Sequence, residues 1–150
     1  MDIREKAVKF AKKYHKGQTR KFNGEPYVNH PIRVAEDAQE WDVDESAYDM
    51  LYTTGILHDV IEDTEATYET VKAEFGDNIA EVVQILTRQA GETYFDFIKR
   101  IAGHGPFAKG LNYFAVRVKV SDIQDNLRDL KEGSLKNKYR FAEEYLLERF

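Results

Sequence analysis

The sequence predicts a compact all-α fold, and two observations lead to this prediction. Apolar residues recur at helical spacing through most of the chain, and no segment looks like the partner strand that a β-sheet needs. The length of 150 residues suffices for one hydrophobic core but not comfortably for two. We therefore expect a single domain over residues 1–150, built as a helical bundle with one short loop or hairpin.

An irregular segment separates the first two predicted helices. The apolar stripe of the opening helix comprises Ile3, Ala7, Phe10, Ala11 and Tyr14. The helix ends near Gly17, and the periodicity is lost from residue 18 to residue 29. In that segment Asn23-Gly24 is a tight-turn signal, which predicts a loop or a short hairpin. Pro31 suits the first turn of the second helix.

Four polar residues indicate where later helices begin. A break at Trp41–Asp44 precedes a third helix, which the Asp44 side chain can cap. Thr67 and Asp77 predict caps for the next two helices, and Thr93 predicts a cap for the one after them. The sequence therefore contains a local start signal for each helix in its central part.

The segment from Phe107 to Leu130 is predicted to be one long helix. Val116, Val118 and Val120 alternate there, which makes a strand the competing interpretation. Helix is preferred because no clean turn flanks the segment. Gly133 ends this helix, and one more amphipathic helix completes the chain.

Composition excludes several classes of protein. Cysteine is absent, so disulfides, zinc fingers and thiol catalysis are excluded and a cytoplasmic location is expected. No apolar run is long enough to span a membrane, and the first residues lack the apolar stretch of a secretory signal. The formal net charge of −5 argues against nucleic acid as the main partner.

The charge is nevertheless unevenly distributed along the chain. The first segment concentrates basic residues, namely Arg4, Lys6, Lys9, Lys12, Lys13, Lys16, Arg20 and Lys21. The stretch from Glu36 to Glu74 is strongly acidic by contrast. A basic segment facing an acidic metal site suits an anionic ligand that chelates a cation, such as a nucleotide polyphosphate. The alternative is a solvated basic helix face, which is the commoner role of lysine-rich segments.

Four ionisable residues within six positions form the most distinctive motif. His58, Asp59, Glu62 and Asp63 lie in an apolar run, and if the helix continues through them they pair at i,i+4. Burying such charges is costly unless they are paired or bound to a metal ion. Imidazole and carboxylate together suit manganese, iron or zinc, so the motif predicts a metal-assisted hydrolase site. The alternative is a helix cap or a solvated acidic turn.

A stable metal site needs more than the two ligands of the His-Asp pair. His15, His30 and His104, each taken alone, are more typical of surface or packing positions than of ligands. Asp122 lies in the long apolar helix and begins a polar stripe that continues with Asn126 and Asp129. This stripe is either the solvated face of the helix or the lining of a cavity, and the residues alone leave both alternatives open.

Six motifs occur in a fixed order along the chain. They are His15-x-Gly17-Gln18-x-Arg20-Lys21, Gly24-x-Pro26-Tyr27-x-x-His30-Pro31, Leu57 through Thr64, Phe75-Gly76, Leu86-Thr87-Arg88 and Asp122-x-x-x-Asn126-Leu127. This series closely resembles the HD-domain hydrolases of the RelA/SpoT type, which include the stand-alone small alarmone hydrolases of metazoan SpoT-like type. The resemblance extends from about Phe10 to Leu130.

The resemblance implies an all-α HD fold that holds one manganese ion, Mn²⁺. Its metal ligands would be His30, His58, Asp59 and Asp122. The catalytic residues that orient and activate the attacking water would be Glu62 and Asp63. The substrate-binding residues would be Arg20, Lys21 and Asn126.

The reaction implied by the resemblance is hydrolysis of the 3′-diphosphate of guanosine tetra- or pentaphosphate to GDP or GTP and pyrophosphate. Two departures from the family pattern weaken the substrate assignment. Ile123 replaces the basic residue that usually follows the aspartate, and Asp129 replaces a small hydroxyl residue. The alternatives are an HD phosphohydrolase acting on another nucleotide, as an NADPH phosphatase or a nucleotidase, and a catalytically silent nucleotide sensor.

Overall fold

Nine α-helices make up the regular structure of the computed structural model, which describes residues 1–41 and 44–150. They are α1 Ile3–Tyr14, α2 Asn29–Gln39, α3 Glu45–Leu57, α4 Val60–Asp63, α5 Tyr68–Phe75, α6 Asp77–Ile85, α7 Tyr94–Ala102, α8 Leu111–Asp129 and α9 Ser134–Leu147. The all-α prediction is confirmed for the described residues. None of the described helices is long and apolar enough to cross a membrane.

Side-chain caps set the beginning of several helices. Asp44 accepts a hydrogen bond from the backbone N–H of Ser46, Thr67 from that of Thr70, and Thr93 from that of Asp96. These three predicted caps are confirmed.

The cap predicted at Asp77 is wrong, because Asp77 is already the first residue of α6. Gly76 precedes it with a φ of +90° and turns the chain directly from α5 into α6. Of the break predicted at Trp41–Asp44, residues 42 and 43 lie outside the described residues.

The long helix and the irregular loop both form, with adjusted bounds. Helix α8 begins at Leu111 rather than Phe107, because Gly110 has a φ of +57° and starts the helix abruptly. The alternating valines lie inside α8, so the strand alternative is excluded.

In the loop between α1 and α2, Thr19 and Pro26 form an isolated antiparallel bridge, which confirms a short hairpin-like loop.

Helix α8 is the central element of the larger hydrophobic core. It packs against α2, α3, α6, α7 and α9. Its buried apolar side chains are Ala115, Val116, Val118, Val120 and Ile123. A second core cluster lies between α1, α3, α5 and α6 and includes Ile56, Leu57 and Val60. The motif that follows Leu57 therefore lies where α2, α3 and α8 meet.

Helices α2 and α3 approach each other closely at one glycine. A Cβ atom on Gly55 would lie 2.7 Å from the Ala35 Cα atom and 3.1 Å from its backbone nitrogen. These are backbone atoms of a buried helix, so no side-chain rotation relieves the contact. The spacing of α2 and α3 therefore requires glycine at position 55.

We predict that Gly55→Ala destabilises the protein, although alanine is the better helix former. Overpacking of a tight core contact costs about 1–3 kcal/mol, and we expect a net loss in the free energy of unfolding of that order. Urea titration followed by circular dichroism measures the change. Glu45→Ala, at an exposed position in the same helix, serves as the control and should change stability by less than about 0.5 kcal/mol. A Gly55→Ala variant as stable as the unmodified protein would contradict the packing argument.

Candidate metal centre

The chain breaks its helix at the His-Asp pair. Helix α3 ends at Leu57, α4 begins at Val60, and Asp59 between them has φ −120° and ψ 10°. The helix therefore does not continue through this motif, so the condition for i,i+4 pairing within one helix is not met. Successive side chains of a straight helix point about 100° apart, so His58 and Asp59 could not both face one centre from it. The break directs both side chains inward, with His58 Nε2 3.6 Å from Asp59 Oδ2.

Four predicted metal ligands come together at this point. His30, His58 and Asp59 each offer a ligand atom, and the three atoms lie within 4.8 Å of one another. Asp122 reaches the same centre from α8, with its Oδ1 2.8 Å from His30 Nε2 and 3.3 Å from His58 Nε2. All four side chains are buried. The polar stripe of α8 therefore starts at a buried side chain rather than on a solvated face.

The donor set fits a divalent transition metal ion. Two imidazole nitrogens and two carboxylates form the mixed nitrogen and oxygen set that manganese, iron and zinc accept. Donors bound at about 2.1 Å to one ion lie roughly 3 Å apart when they subtend a right angle, which matches the spacing at Asp122. Asp59 Oδ1 is buried and makes no hydrogen bond of normal geometry, and its close polar neighbour is His15 Nε2 at 3.2 Å. A cation at this centre would satisfy the remaining negative charge of the Asp59 carboxylate.

Hydrogen bonds at Nδ1 orient both histidines. His58 Nδ1 lies 2.7 Å from the Gly55 carbonyl oxygen, and His30 Nδ1 lies 2.6 Å from Asp125 Oδ2. With the proton on Nδ1 donated to these acceptors, Nε2 of each ring faces the centre with its lone pair. Gly55 thus both permits the approach of α2 to α3 and orients the ring of a predicted ligand, His58.

Opposite charges compensate one another within the buried centre. Burial lowers the pKa of His58, but the carboxylates of Asp59 and Asp122 outweigh it and raise that pKa to about 9. Burial raises the pKa of Asp59, but His58 and His15 outweigh it and hold that pKa well below its usual range. A cation that binds here competes with protons for the imidazole nitrogens, so its affinity falls as the pH is lowered.

Lys119 supplies a positive charge beside Asp122. Its Nζ lies 2.8 Å from Asp122 Oδ2, and only 14% of its side chain is exposed. The sequence motif indicates that a basic residue is missing here, because Ile123 follows the aspartate. Lys119 lies one turn earlier on the same face of α8, since residues three apart share one face of a helix. The second oxygen of Asp122 is therefore neutralised by the preceding turn of α8.

Glu62 and Asp63 lie beside the centre at the end of α4. Tyr27 donates a hydrogen bond to Asp59 Oδ2, and its hydroxyl is also 3.5 Å from Asp63 Oδ2. Burial, and then the nearby charges of Asp59 and Glu62, raise the pKa of Asp63 to about 6. Glu62 Oε1 accepts a hydrogen bond of 2.8 Å from the Arg88 backbone N–H. Asp63 thus has the pKa of a carboxylate that can take up a proton near neutral pH.

A cavity of about 480 Å³ opens next to Asp63. Its lining residues come from the loop before α2, from α4 and from the last two helices; they are Gln18, Thr19, Arg20, Lys21, Phe22, Tyr27, Asp63, Asn126 and Tyr139. The three residues predicted to bind substrate are among them. The cavity adjoins the predicted metal ligands through Tyr27, and its walls combine aromatic rings with basic and amide side chains.

The three predicted substrate-binding residues differ in how accessible they are. Lys21 is exposed, whereas the Arg20 side chain is only 3% exposed. Arg20 Nη2 lies 3.1 Å from Asp129 Oδ2 and 3.3 Å from Asn126 Oδ1. The Asp129 carboxylate therefore already neutralises the arginine that was predicted to face the substrate.

The sequence interpretation missed the position of His15. Its ring is buried, with Nε2 3.2 Å from Asp59 Oδ1 and Nδ1 2.8 Å from Gln18 Oε1. Gln18 also donates to the Asp63 backbone carbonyl at 2.9 Å. The sequence signal that could have located His15 near the site was its occurrence with Gln18 in the first of the six motifs. His104, by contrast, is exposed as expected.

Known proteins share sequence similarity with this chain. A family model described as an HD domain matches residues 7–102. A GTP pyrophosphokinase of Myxococcus xanthus is 34% identical, over 97% of this chain and 19% of that protein. A guanosine-3′,5′-bis(diphosphate) 3′-pyrophosphohydrolase of Danio rerio is 33% identical, over 82% of this chain and 66% of that protein.

A solved structure shares the fold. It is that of a metazoan ortholog of SpoT, with a TM-score of 0.74 and 24% identity over 98% of this chain and 84% of the other. The chain spans about a fifth of the length of the bacterial relative and about two thirds of the fish relative. The family match covers most of the chain, and the chain belongs to the HD-domain family and to its RelA/SpoT type.

Proposed function

We propose that this chain is a metal-dependent phosphohydrolase that removes the 3′-diphosphate of guanosine tetra- or pentaphosphate, releasing pyrophosphate and GDP or GTP. The observation that carries the proposal is the convergence of His30, His58, Asp59 and Asp122 on one buried centre. The name of the fish relative, a 3′-pyrophosphohydrolase of guanosine bis(diphosphate), supports the choice of substrate.

The four side chains would hold one divalent ion, for which we propose Mn²⁺. When bound, such an ion lowers the pKa of a coordinated water and polarises the attacked phosphoryl group. The residues of the chain keep two imidazole nitrogens and two carboxylates aimed at one point, and they exclude bulk water from it. Each would be preorganised by its own hydrogen bonds, so that no rearrangement is needed at the moment of reaction.

Asp63 and Glu62 would handle the proton of the attacking water. Asp63 would accept the proton, because its carboxylate lies beside the Tyr27 hydroxyl and also lines the cavity. The Tyr27 hydroxyl lies between Asp59 and Asp63 and restricts where the Asp63 carboxylate can turn. Glu62, held through Oε1 by the Arg88 backbone, would orient the water.

The neighbouring cavity would take the nucleotide. Phe22, Tyr27 and Tyr139 offer aromatic surfaces to a base, and Lys21 offers an exposed positive charge to phosphate. Asn126 lines the cavity one turn after Asp122 and would contact the sugar.

A second candidate substrate is another phosphorylated nucleotide, such as NADPH or a nucleoside monophosphate. The pairing of Arg20 with Asp129 favours it, because this pairing leaves the cavity with less positive charge for a highly phosphorylated ligand.

Three further expectations stay proposals. They are that residues 1–150 form a single domain, that manganese is the ion of the active protein, and that the protein is cytoplasmic.

Product release from a nucleotide panel with added Mn²⁺ tests the proposed function. The panel contains guanosine tetraphosphate, NADPH, and simple nucleoside mono- and triphosphates. We expect pyrophosphate from the tetraphosphate and no release from the others. Orthophosphate from another member instead would establish the second candidate. Bound Mn²⁺ without any turnover would overturn both and indicate a nucleotide sensor.

Substitutions should separate metal binding from turnover. Asp122→Ala removes a ligand and leaves His30 and His58 without their shared acceptor, so we expect loss of Mn²⁺ binding together with a loss of activity of at least 100-fold. Glu62→Gln should leave Mn²⁺ and nucleotide bound while lowering kcat by a similar factor. Isothermal titration with Mn²⁺ and steady-state kinetics measure the two effects. Activity that survives in Asp122→Ala would show that the assigned centre is not the active one.

The raised pKa of Asp63 predicts a pH-dependent stability effect in metal-free protein. Between its ordinary pKa of 3.8 and about 6, the native state binds more protons at Asp63 than the unfolded state does. Asp63 therefore destabilises the fold increasingly as pH rises through that window, and the cost is complete above it. We expect Asp63→Asn to raise the urea midpoint at pH 7.5 and to raise it less at pH 4.5, while turnover is lost.

A matched control is Asp49→Asn, which removes an exposed carboxylate from α3. It should give no stability gain that grows with pH. Equal urea midpoints of Asp63→Asn and unmodified protein at pH 7.5 would contradict the assigned environment of Asp63.

A further inference from the structure

Helices α2 and α8 face each other through four side chains at the same spacing. His30 and Arg33 lie three residues apart on α2, and Asp122 and Asp125 lie three residues apart on α8. His30 contacts both aspartates, with Nε2 2.8 Å from Asp122 Oδ1 and Nδ1 2.6 Å from Asp125 Oδ2. Arg33 Nε lies 2.8 Å from Asp125 Oδ1. One aspartate of the pair therefore faces the centre, and the other lies behind the histidine.

The acceptor behind a ligand histidine decides how the ring is presented. An imidazole that binds an ion through Nε2 must carry its proton on Nδ1, and the acceptor of that proton fixes the tautomer and the ring angle. Asp125 is a charged acceptor in this role, and a charged acceptor also makes Nε2 a better donor to a cation. His58 differs, because its Nδ1 acceptor is the backbone carbonyl of Gly55.

Asp125 is itself held in place by arginine. Arg33 donates to Asp125 Oδ1 from Nε at 2.8 Å and to Oδ2 from Nη2 at 3.1 Å, which is the forked geometry of a strong pair. Arg33 also donates to Glu25 at 2.7 Å and 3.2 Å. The Asp125 side chain is only 7% exposed. The carboxylate therefore cannot rotate away from His30 without breaking several charged contacts.

We propose that Asp125 is a positioning residue of the metal centre, which acts through His30 and is anchored by Arg33. The inference rests on the proposed function in one respect, namely that His30 is a metal ligand. Asp125 touches neither the ion nor the substrate in this scheme. It holds the Nδ1 proton of His30 and keeps Nε2 directed at the point that Asp122 also faces.

The test measures the affinity of the purified protein for Mn²⁺ by isothermal titration. Loss of an outer-shell partner of a ligand typically costs about 10–100-fold in metal affinity, and we expect that loss for Asp125→Ala. Asp125→Asn keeps a weaker, neutral acceptor. Its Mn²⁺ affinity should lie between those of Asp125→Ala and the unmodified protein. The matched control is Glu132→Gln. Glu132 lies in the loop before α9, and its exposed carboxylate pairs with Arg140. This variant should bind Mn²⁺ like the unmodified protein.

A second readout separates positioning from a merely structural role. In the Zn²⁺-loaded protein, used as a diamagnetic form, the His30 Nδ1–H proton should give a downfield NMR resonance with slow solvent exchange. That resonance should disappear in Asp125→Ala and shift upfield in Asp125→Asn. If Asp125 only braces α2 against α8, both variants lower the melting temperature but leave the resonance and the Mn²⁺ affinity unchanged.

The outcomes are distinguishable. A folded Asp125→Ala protein that binds Mn²⁺ as tightly as the unmodified protein overturns the proposal. If Asp125→Ala does not fold, Asp125→Asn decides, and an unchanged Nδ1–H resonance in that variant overturns it. Failure of the unmodified protein to bind Mn²⁺ or Zn²⁺ overturns the proposed function as well, whereas normal binding in Asp125→Ala overturns this inference alone.

Discussion

The cost of burying charge is the constraint on which the centre of this structure depends. An isolated ionised group in a protein interior is strongly unfavourable, so each one must find a partner of opposite charge or a bound ion. Here the partners come from different parts of the chain: Asp122 of α8 is contacted by His30 of α2, by His58 beyond the end of α3, and by Lys119 one turn earlier. Removing any one of these elements would leave a buried charge uncompensated, so the arrangement specifies how the helices meet.

Local sequence patterns predicted the parts of the structure that depend on neighbouring residues. Apolar spacing identified the helices, and Asp44, Thr67 and Thr93 marked three of their beginnings because capping is an interaction within one turn. The pattern could not place the break after Leu57. At that break His58 contacts Asp122 of α8 and Asp59 contacts His15, and these contacts join residues far apart in the sequence.

Long-range pairing explains what the sequence could not predict about the site. Asp125 and Lys119 lie on the same helix as Asp122, yet their roles depend on His30 and on the depth of burial, neither of which is a local property. Arg20 shows the opposite case. A basic residue in a loop is typical of phosphate binding. The Arg20 guanidinium, however, donates a hydrogen bond to Asp129, which is 109 positions away in sequence.

Helix α4 has only four residues, far fewer than a helix needs to be stable in isolation. It nevertheless carries both carboxylates assigned to water activation, and Asp59 immediately precedes it. Local opening of this one turn would displace Asp59, a proposed metal ligand, and both acidic groups together, while His30 and Asp122 stayed on their longer helices. The free energy of such an opening, rather than the global stability of the fold, would then set the fraction of molecules whose centre is complete.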